Sequence, residues 1–537
     1  MQLYIGIFVK TLTNQYHMIM KNFIIPVLFF LFGNSLSAAE LILIKTSGFQ
    51  ETKTLFNNQD LRIHFYRDDF VIATAKQVSY NDYVVLDSNP WKENISYYIV
   101  YADNSVDKDS YLESIEEVAD ILYDKGEMMI VQTNEVKHGQ LQPAKNDGMV
   151  RIFNIEAALP ADFTYVFTKS DEPDPFILEL MDEVKKENIN FRVQHLENYG
   201  TRDAYSPISA FAQEWIEYKF LGWGLDVETM PFYMPQGAES DNVIATHTGT
   251  KYPDEYVVIG AHYDSISWEG DAPGADDNAS GTAGVMEIAR ILSQYEFDRS
   301  IIFCAFSGEE YGLYGSAAYA FRSKMDNKNI IGYINMDMIG YLKPGNTTIM
   351  TSLIYPQSAK PLADFYTDVC AVYLPDFVVE PGTMTGGDSD HTSFNNNGYM
   401  GIFPFEDINN YSPYIHTVND LVGPSYNNPE QAVIFTQAVL ASVVKLANIT
   451  EPPTYVYELN EDVSINVFPN PAKDIVSIHV NNDKNIVLQV YDVSGKNVLS
   501  QTISGKKEID VSYFRKGVYI FNFEGENFNE THKVLIQ

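Results

Sequence analysis

The chain has 537 residues, too many for one hydrophobic core, so two or three domains are expected. Hydrophobic residues make up 45% of the chain and aromatic residues 13%, which is enough for packed cores and excludes a disordered chain. The 72 acidic residues outweigh the 36 basic ones, and the formal net charge of -36 would repel a phosphate backbone. We therefore expect no nucleic-acid partner.

The first 39 residues are predicted to be an upstream extension followed by a signal peptide. The apolar run FIIPVLFFLFG comes after Met20 and Lys21, and the small residues Ser37 and Ala39 have the spacing that a signal peptidase recognises. The mature chain is expected to begin near Glu40. The run is shorter than the roughly 20 residues that span a membrane, and no later stretch qualifies, so we expect no transmembrane anchor.

Residues 40–165 are predicted to form a small α+β domain. Short apolar strands such as LILIKT, YYIVYA and MMIVQT alternate with polar turns, and SYLESIEEVADILYDKG has the pattern of a helix. His64 and His138 have no partner at ligand spacing and are expected to be structural. Because no catalytic constellation is visible here, two roles stay open: a propeptide and a packing domain.

Residues 170–450 are predicted to form an α/β/α layered domain with a mixed, largely parallel sheet. SPISAFAQEWIEYKFLGWG and GTAGVMEIARILSQY have the pattern of helices. The near-continuous apolar runs EYVVIGAHYD, RSIIFCAF, IIGYINMDMIG and YMGIFPFE are typical of strands covered on both faces. The two cysteines, Cys304 and Cys370, cannot build a disulfide framework, and the apolar run around Cys304 predicts a buried free thiol.

Polar residues follow these strands, at the edge of the sheet where chemistry gathers in such folds. The set consists of His262, Asp264, Asp276, Asp277, Glu309, Glu310, Asp337 and His416. Each residue alone has an ordinary explanation, as a core histidine, a turn, a helix cap or a solvated loop. Together, two histidines and several carboxylates offer the nitrogen and oxygen ligands that two divalent cations require. One aspartate of GADDNASG could bridge the cations, and spacing does not choose between Asp276 and Asp277.

Five motifs in order, GAHYDS, PGADDNASG, FSGEEYGLYGS, NMDMIGY and IHTVNDL, resemble the secreted bacterial leucyl-aminopeptidase-type family of di-zinc exopeptidases. The upstream LENYGTRDAYSP and the AFAQEWI helix look like the segment that precedes the catalytic core of that family. The resemblance covers roughly residues 170–450. It implies a zinc-dependent aminopeptidase whose substrates are peptides with a free N-terminus.

The resemblance also implies roles for individual residues. Two zinc ions per catalytic domain are implied, with His262 and Asp337 holding one, Glu310 and His416 holding the other, and Asp277 bridging them. Glu309 matches the general base, which takes a proton from the attacking water and passes it to the leaving amine. Asp264 matches the partner that orients His262.

One further segment, GGDSDHTSF, resembles the SDH segment of the family. For Asp390 and His391, a role beside a metal ligand, a role in the substrate pocket and a structural role stay open. Some secreted relatives have a cysteine pair just before this segment, where this chain has Met384 and Asp388, so we expect no such disulfide. Pocket wall and core strand are both open for Tyr399, Met400, Ile402 and Phe403.

Residues 464–537 are predicted to form a small β-sandwich after the acidic, proline-containing linker EPPTYVYELNED. Seven short alternating runs, including SINVFPN, IVSIHV and GVYIFNF, are separated by polar turns. FPNPAKD, VYDVSGK, FRKGVYIF and KVLIQ resemble the C-terminal sorting domain of the bacterial type IX secretion system. This resemblance implies passage through the periplasm and then, by the type IX machinery, across the outer membrane. The protein would be secreted or held at the cell surface.

Two alternatives to an aminopeptidase stay open. A glutaminyl cyclase has the same fold and similar acid-histidine motifs but uses one zinc, and it would release ammonia from a peptide with N-terminal glutamine. A non-catalytic binding or adhesion protein would keep its metals for stability. Glu309 argues against the latter, because a purely structural metal site has no use for a carboxylate that is not a ligand.

Overall fold

The computed structural model describes residues 39–76, 82–102, 108–134, 137, 140–143, 147–161, 167, 172–384, 386–448, 465–480, 485–492, 496–525 and 529–537. The predicted upstream extension, almost all of the predicted signal peptide, His138 and the linker EPPTYVYELNED lie outside the described residues.

Two antiparallel four-stranded sheets form the N-terminal region, with orders β2-β3-β1-β4 and β6-β7-β5-β8. The strands are β1 Glu40–Lys45, β2 Leu61–Tyr66, β3 Phe70–Ala75, β4 Tyr83–Asp87, β5 Ile95–Tyr101, β6 Asp120–Asp124, β7 Met128–Asn134 and β8 Met149–Ile152, and the helices are α1 Phe49–Leu55 and α2 Lys108–Val118. The prediction of a single helix for SYLESIEEVADILYDKG is wrong. Helix α2 ends at Val118, and the segment DILYD forms β6 because its residues pair with β7.

A mixed eight-stranded sheet forms the central part of the chain, in the order β15-β14-β16-β13-β11-β12-β10-β9. Its strands are β9 Asp226–Tyr233, β10 Glu239–His247, β11 Tyr252–His262, β12 Arg299–Phe306, β13 Asn329–Asn335, β14 Met350–Ile354, β15 Val378–Gly382 and β16 Gly401–Phe405. The accompanying helices are α3 Pro175–Asp182, α4 Lys186–Glu197, α5 Ser209–Gly222, α6 Gly281–Leu292, α7 Tyr314–Met325, α8 Lys360–Tyr373, α9 His391–Asn396 and α10 Pro429–Ala447. Strands β12, β11, β13 and β16 run parallel at the centre, and the predicted α/β/α fold class is confirmed.

The central strands are apolar throughout because both of their faces are covered. On β11, Val257 and Ile259 pack in the same apolar layer as α6 and α10, whereas Val258 packs in the opposite layer with α7 and α9. Cys304 on β12 belongs to that opposite layer and is a buried free thiol, as predicted. Cys370 on α8 is also free and buried, and burial raises the pKa of its thiol to about 12.

Helix α10 corrects the expectation that no stretch after the signal peptide could span a membrane. It is long and apolar enough to do so by length and composition. However, 72% of its most apolar stretch is buried in the fold. The helix packs against α8, α6 and the strands β11 and β12. In this fold α10 is a core helix.

Among the described residues, the C-terminal region contains seven strands in two antiparallel sheets, in agreement with the seven alternating runs of the sequence. They are β17 Ile465–Phe468, β18 Ile475–Val480, β19 Ile486–Asp492, β20 Asn497–Ile503, β21 Lys506–Asp510, β22 Gly517–Glu524 and β23 Asn529–Ile536. Alternate residues of both sheets face a common apolar core. Lys533 pairs with Glu214 on α5, and Asn466 lies 2.9 Å from the Nδ1 atom of His195 on α4.

Gly281, the first residue of α6, tests how closely this helix packs against Met336, the residue after β13. A Cβ atom at this position would collide with the carbonyl oxygen of Met336, whereas a Cβ at Gly222, at the end of α5, would meet open space. We expect Gly281→Ala to lower the free energy of unfolding by about 1–3 kcal/mol or more, as overpacking does. Gly222→Ala should leave it unchanged or raise it slightly. Urea unfolding of both variants measures the difference, and equal stabilities would contradict the close approach of α6 to Met336.

Candidate metal centre

A cavity of about 190 Å³ opens where the parallel strands β11, β12 and β13 end. Six of the residues predicted to act in the site line it: His262, Asp277, Glu309, Glu310, Asp337 and His416. His262 is the last residue of β11, and the acidic residues follow β11, β12 and β13 in turn. The fold therefore brings together residues that are up to 154 positions apart in the chain.

The Asp277 carboxylate lies between the two imidazoles. Its Oδ1 atom is 3.2 Å from Nε2 of His262, and its Oδ2 atom is 3.3 Å from Nε2 of His416. All three side chains are buried. One carboxylate thus faces both histidines, which is the arrangement of a group shared between two centres.

The other acidic residues divide between the two histidines. The Oδ1 atom of Asp337 is 3.4 Å from Nε2 of His262, and the Oε2 atom of Glu310 is 2.9 Å from Nε2 of His416. The Oε2 atom of Glu309 lies on the His262 side, at 4.0 Å. The two glutamates lie beyond the extended part of β12, which ends at Phe306 and is followed by Gly308 with a positive φ of 68°.

Two aspartates hold the backbones of the acidic pairs. Both carboxylate oxygens of Asp264 accept hydrogen bonds, one from the N–H of Glu309 and one from that of Glu310, each at 3.4 Å. Asp264 also accepts from Nδ1 of His262 through its carbonyl oxygen, at 3.2 Å, if that nitrogen carries the proton. Asp264 therefore positions the glutamate pair as well as the histidine.

Asp420 does the same for the aspartate pair. Its Oδ1 atom accepts from the N–H of Asp276 at 2.9 Å and its Oδ2 atom accepts from the N–H of Asp277 at 3.0 Å. The Asp276 side chain does not line the cavity, and its Oδ1 atom accepts from the N–H of Gly340 at 2.9 Å. Of the two adjacent aspartates, only Asp277 faces the histidines.

A chain of hydrogen bonds orients Asp337. Its Oδ2 atom accepts from the hydroxyl of Ser389 at 2.7 Å, and Ser389 in turn accepts from the amide of Asn335 at 2.7 Å. The Oδ1 atom of Asn335 accepts from Tyr333, which completes a buried network. Sequence reasoning missed this network, although Ser389 lies in the GGDSDHTSF segment that it had marked.

Arg202 joins the loop that follows His262 to the turn that carries Asp277. It is fully buried, and its guanidinium donates to the carbonyl oxygens of Tyr263 at 2.7 Å, Pro273 at 2.6 Å and Gly274 at 2.8 Å. Sequence reasoning missed its role too. It lies in the upstream segment LENYGTRDAYSP, where no spacing rule points to a clamp on two later loops.

The charges of the site favour a cation. Burial, followed by repulsion from Asp277, raises the pKa of Glu310 to about 7, and burial together with neighbouring carboxylates raises that of Glu309 well above its usual value. The imidazoles of His262 and His416 oppose the effect of burial on Asp277 and hold its pKa well below the usual range. A divalent cation would supply the missing compensation.

The donor atoms fit such a cation. Asp337 Oδ1 and Glu310 Oε1 are buried and accept no hydrogen bond from the described residues. Two sets of potential ligand atoms each lie within 4.8 Å of one another, one from His262, Glu309 and Asp337 and one from His262, Asp277 and Glu310. Imidazole nitrogen and carboxylate oxygen are ligands that zinc accepts.

The residues left open by the sequence lie outside the cavity, with one exception. His391 is buried with its ring 5.3 Å from that of Phe403, and burial lowers its pKa to about 4. Asp390 is buried beside it and does not line the cavity. Of the four apolar candidates, Phe403 lines the cavity, whereas Tyr399, Met400 and Ile402 pack in the apolar layers.

Two segments of the chain match known protein families. Residues 242–441 match Peptidase family M28, and residues 466–537 match the Secretion system C-terminal sorting domain. The central part of the chain is therefore similar to M28 peptidases, and the C-terminal part is similar to sorting domains associated with export.

Curated relatives match part of the chain. A probable zinc metalloprotease of Pyrenophora teres f. teres (strain 0-1) is 33% identical over 207 residues, which are 34% of this chain and 43% of the relative. Leucine aminopeptidase 1 of Trichophyton equinum is 33% identical over 222 residues, 38% of this chain and 58% of the relative. The chain thus spans less than half the length of the first relative.

Solved structures share the fold. The LapA aminopeptidase of Legionella pneumophila matches with a TM-score of 0.53 at 19% identity, over 66% of this chain and 99% of that one. LapB from the same organism matches with a TM-score of 0.52 at 21% identity, over 66% of this chain and 100% of that one. At these identities the likeness shows an aminopeptidase-like fold.

The adjacent aspartates allow a matched test of the metal centre. Asp277→Asn removes the charge that faces both histidines, so we expect zinc affinity to fall by at least about tenfold. Asp276→Asn keeps an oxygen for the N–H of Gly340 and should leave zinc affinity within about twofold of the original. Competition with a chromogenic chelator measures both. Equal losses in the two variants would contradict a centre built around Asp277.

Proposed function

We propose that this chain is an exported zinc aminopeptidase, which removes N-terminal residues from peptides. The observation that carries the proposal is the Asp277 carboxylate, which faces Nε2 of both His262 and His416 at 3.2 and 3.3 Å inside an acidic cavity. The M28 match and the relatives named zinc metalloprotease and leucine aminopeptidase support it.

We propose two zinc sites that share Asp277. The remaining ligands would be His262 and Asp337 for one ion and Glu310 and His416 for the other. When bound, zinc would supply Lewis acidity, which polarises the scissile carbonyl and lowers the pKa of the attacking water, so that this water gives up its proton more readily. Asp264 contributes by fixing His262 and the backbone of the glutamate pair, and so keeps the donor atoms in place.

Glu309 is the proposed general base. Its carboxylate lines the cavity and is the member of the glutamate pair that lies farther from a histidine, at 4.0 Å against 2.9 Å for Glu310. Burial raises its pKa well above the usual value, and the nearby carboxylates reinforce that shift against the opposing charge of His262. A carboxylate of this kind accepts a proton from water and returns it to the nitrogen of the leaving amine.

The cavity suits the N-terminal residue of a peptide. Its acidic side chains attract the α-ammonium group of a free N-terminus. Its other walls are largely apolar and include Met338, Phe403, Phe405, Ile408 and Ile415. These walls favour an apolar side chain on the residue that is released.

The proposed export route rests on the predicted signal peptide and on the C-terminal match to a sorting domain. We propose that the predicted signal peptide directs the chain to the periplasm and that the sorting domain then engages the type IX secretion machinery. The match of residues 466–537 to a secretion sorting domain supports the second step. The mature protein would be secreted or held at the cell surface.

The test is release of free amino acids from peptides and aminoacyl amides by zinc-loaded protein. We expect Glu309→Gln to bind zinc normally and to lower kcat by about 100- to 10,000-fold, the contribution of a general base. Glu179→Gln, on the exposed face of α3, is the matched control and should be fully active.

Three results would contradict this proposal. The first is a lack of release from any peptide by folded, zinc-loaded protein, which would leave a binding protein. The second is ammonia release from N-terminal glutamine without loss of a residue, which would identify a glutaminyl cyclase. The third is full activity in Glu309→Gln, which would remove the assigned base.

A further inference from the structure

The N-terminal region supplies part of the cavity wall. Asp147, Gly148 and Met149, at the start of β8, line the same cavity as Glu309 and His416. The N–H of Gly148 donates to the carbonyl oxygen of Gly386, in the segment before α9, at 3.0 Å. This region therefore reaches the proposed substrate site and leaves a cavity of about 190 Å³ beside it.

The N-terminal and central regions share one hydrophobic core. Tyr98, Val100, Met129 and Val131 come from the N-terminal sheets, and they pack in one buried cluster with Phe232, Met234, Ile266, Tyr311 and Tyr314. The hydroxyls of Tyr98 and Tyr314 lie 2.5 Å apart, and the guanidinium of Arg151 donates to Tyr314 at 2.7 Å. Removal of the N-terminal region would expose this core to water just beyond the Glu309-Glu310 pair.

An ion pair between a partly exposed arginine and a buried carboxylate links the N-terminal region to the candidate metal centre. The Nη2 atom of Arg67, after β2, is 2.6 Å from Oδ2 of Asp388, whose side chain is only 3% exposed. The next residue, Ser389, donates to Asp337 at 2.7 Å. Arg67 is thus connected through two consecutive residues to a carboxylate that faces His262.

The Arg67–Asp388 ion pair restrains the segment just before Ser389. No disulfide was expected just before the SDH segment, where this chain has Met384 and Asp388. Asp388 is held by Arg67 from outside and by the hydroxyl of Thr392 from within its own segment. An interaction between regions therefore restrains the segment that carries Ser389.

We propose that residues 40–161 are a permanent part of the working enzyme, and that Arg67 is a positioning residue for Asp337. The N-terminal region forms one wall of the substrate cavity, and the Arg67–Asp388 pair fixes the segment from which Ser389 orients Asp337. Of the two roles that the sequence left open, the structure favours a packing domain over a propeptide. The inference rests on the proposed function for the identity of the metal and the substrate.

The first experiment measures zinc affinity. We expect Arg67→Met to weaken zinc binding about tenfold, the lower end of the loss typical of groups that hold metal ligands in place. Arg67→Lys keeps the charge and should recover part of the affinity. Arg62→Met, on the exposed face of the preceding strand β2, is the control and should bind zinc like the unaltered protein.

Stability is measured alongside, because removal of the arginine leaves the buried Asp388 carboxylate without its charged partner and so also destabilises the fold. If Arg67→Met unfolds more easily but binds zinc as tightly as the unaltered protein at a temperature where both are folded, Arg67 is only structural and the positioning role is overturned. Should Arg67→Met fail to fold, Ser389→Ala tests the same link from the other end. Unchanged zinc affinity in that variant would also overturn it.

The second experiment is the intact mass of the zinc-bearing protein recovered from the growth medium of cells that export it. We expect a chain that begins near residue 40 and retains residues 40–161. A zinc-bearing, folded species that begins after residue 161 would overturn the proposal. Neither experiment depends on peptide hydrolysis, so failure of the proposed aminopeptidase activity would be recognised separately.

Discussion

The structure depends on the burial of several carboxylates within a few ångströms of one another. A carboxylate loses much of its hydration when it is buried, and neighbouring carboxylates repel, so each one needs compensation. Asp277 obtains it from His262 and His416, and the raised pKa of Glu310, to about 7, indicates that its own compensation is incomplete. The proposed zinc ions would complete it, which makes the metal centre part of the electrostatic balance of the fold.

The carboxylates of the site work at two levels. Asp277, Glu310 and Asp337 direct oxygen atoms into the cavity, whereas Asp264 and Asp420 each spend both oxygens on the backbone N–H groups of an acidic pair. The same device is used on two different loops. These hydrogen bonds hold the backbone of each acidic pair in place, so that a side chain of the pair can face the histidines.

Other buried residues that do not face the cavity also hold its lining residues in place. Arg202 ties the loop after β11 to the turn before α6, and Ser389 ties the α9 segment to Asp337. The N-terminal region extends the same principle outward through Arg67 and Asp388. Positions close to the metal centre are therefore fixed by residues spread over most of the chain.

Much of the fold and most of the candidate residues could be predicted from the sequence. Near-continuous apolar runs mark strands covered on both faces, and polar residues directly after them mark the edge where the cavity lies, as with His262 and Asp337. The choice between Asp276 and Asp277 could not be made from spacing, because it depends on which carboxylate the N–H of Gly340 captures. DILYD was missed as a strand because its partner β7, and not its own propensity, decides its conformation.

Contacts between distant segments could not be predicted from the sequence either. Ser389 and Asp337 are 52 positions apart, and nothing in either local pattern reveals their hydrogen bond. Arg67 lies 321 positions from Asp388, in a region with no catalytic motif. Such pairs are set by the packing of whole layers, which only the folded chain defines.

The two buried thiols have a consequence for a chain that carries an export sorting domain. Outside the cell, oxidants convert accessible thiolates to sulfenic acid or to mixed disulfides. Cys304 and Cys370 are covered by the apolar layers of the sheet, and burial raises the pKa of both thiols, so little reactive thiolate forms. In the folded protein, both thiols are thereby protected against oxidation and unwanted cross-linking.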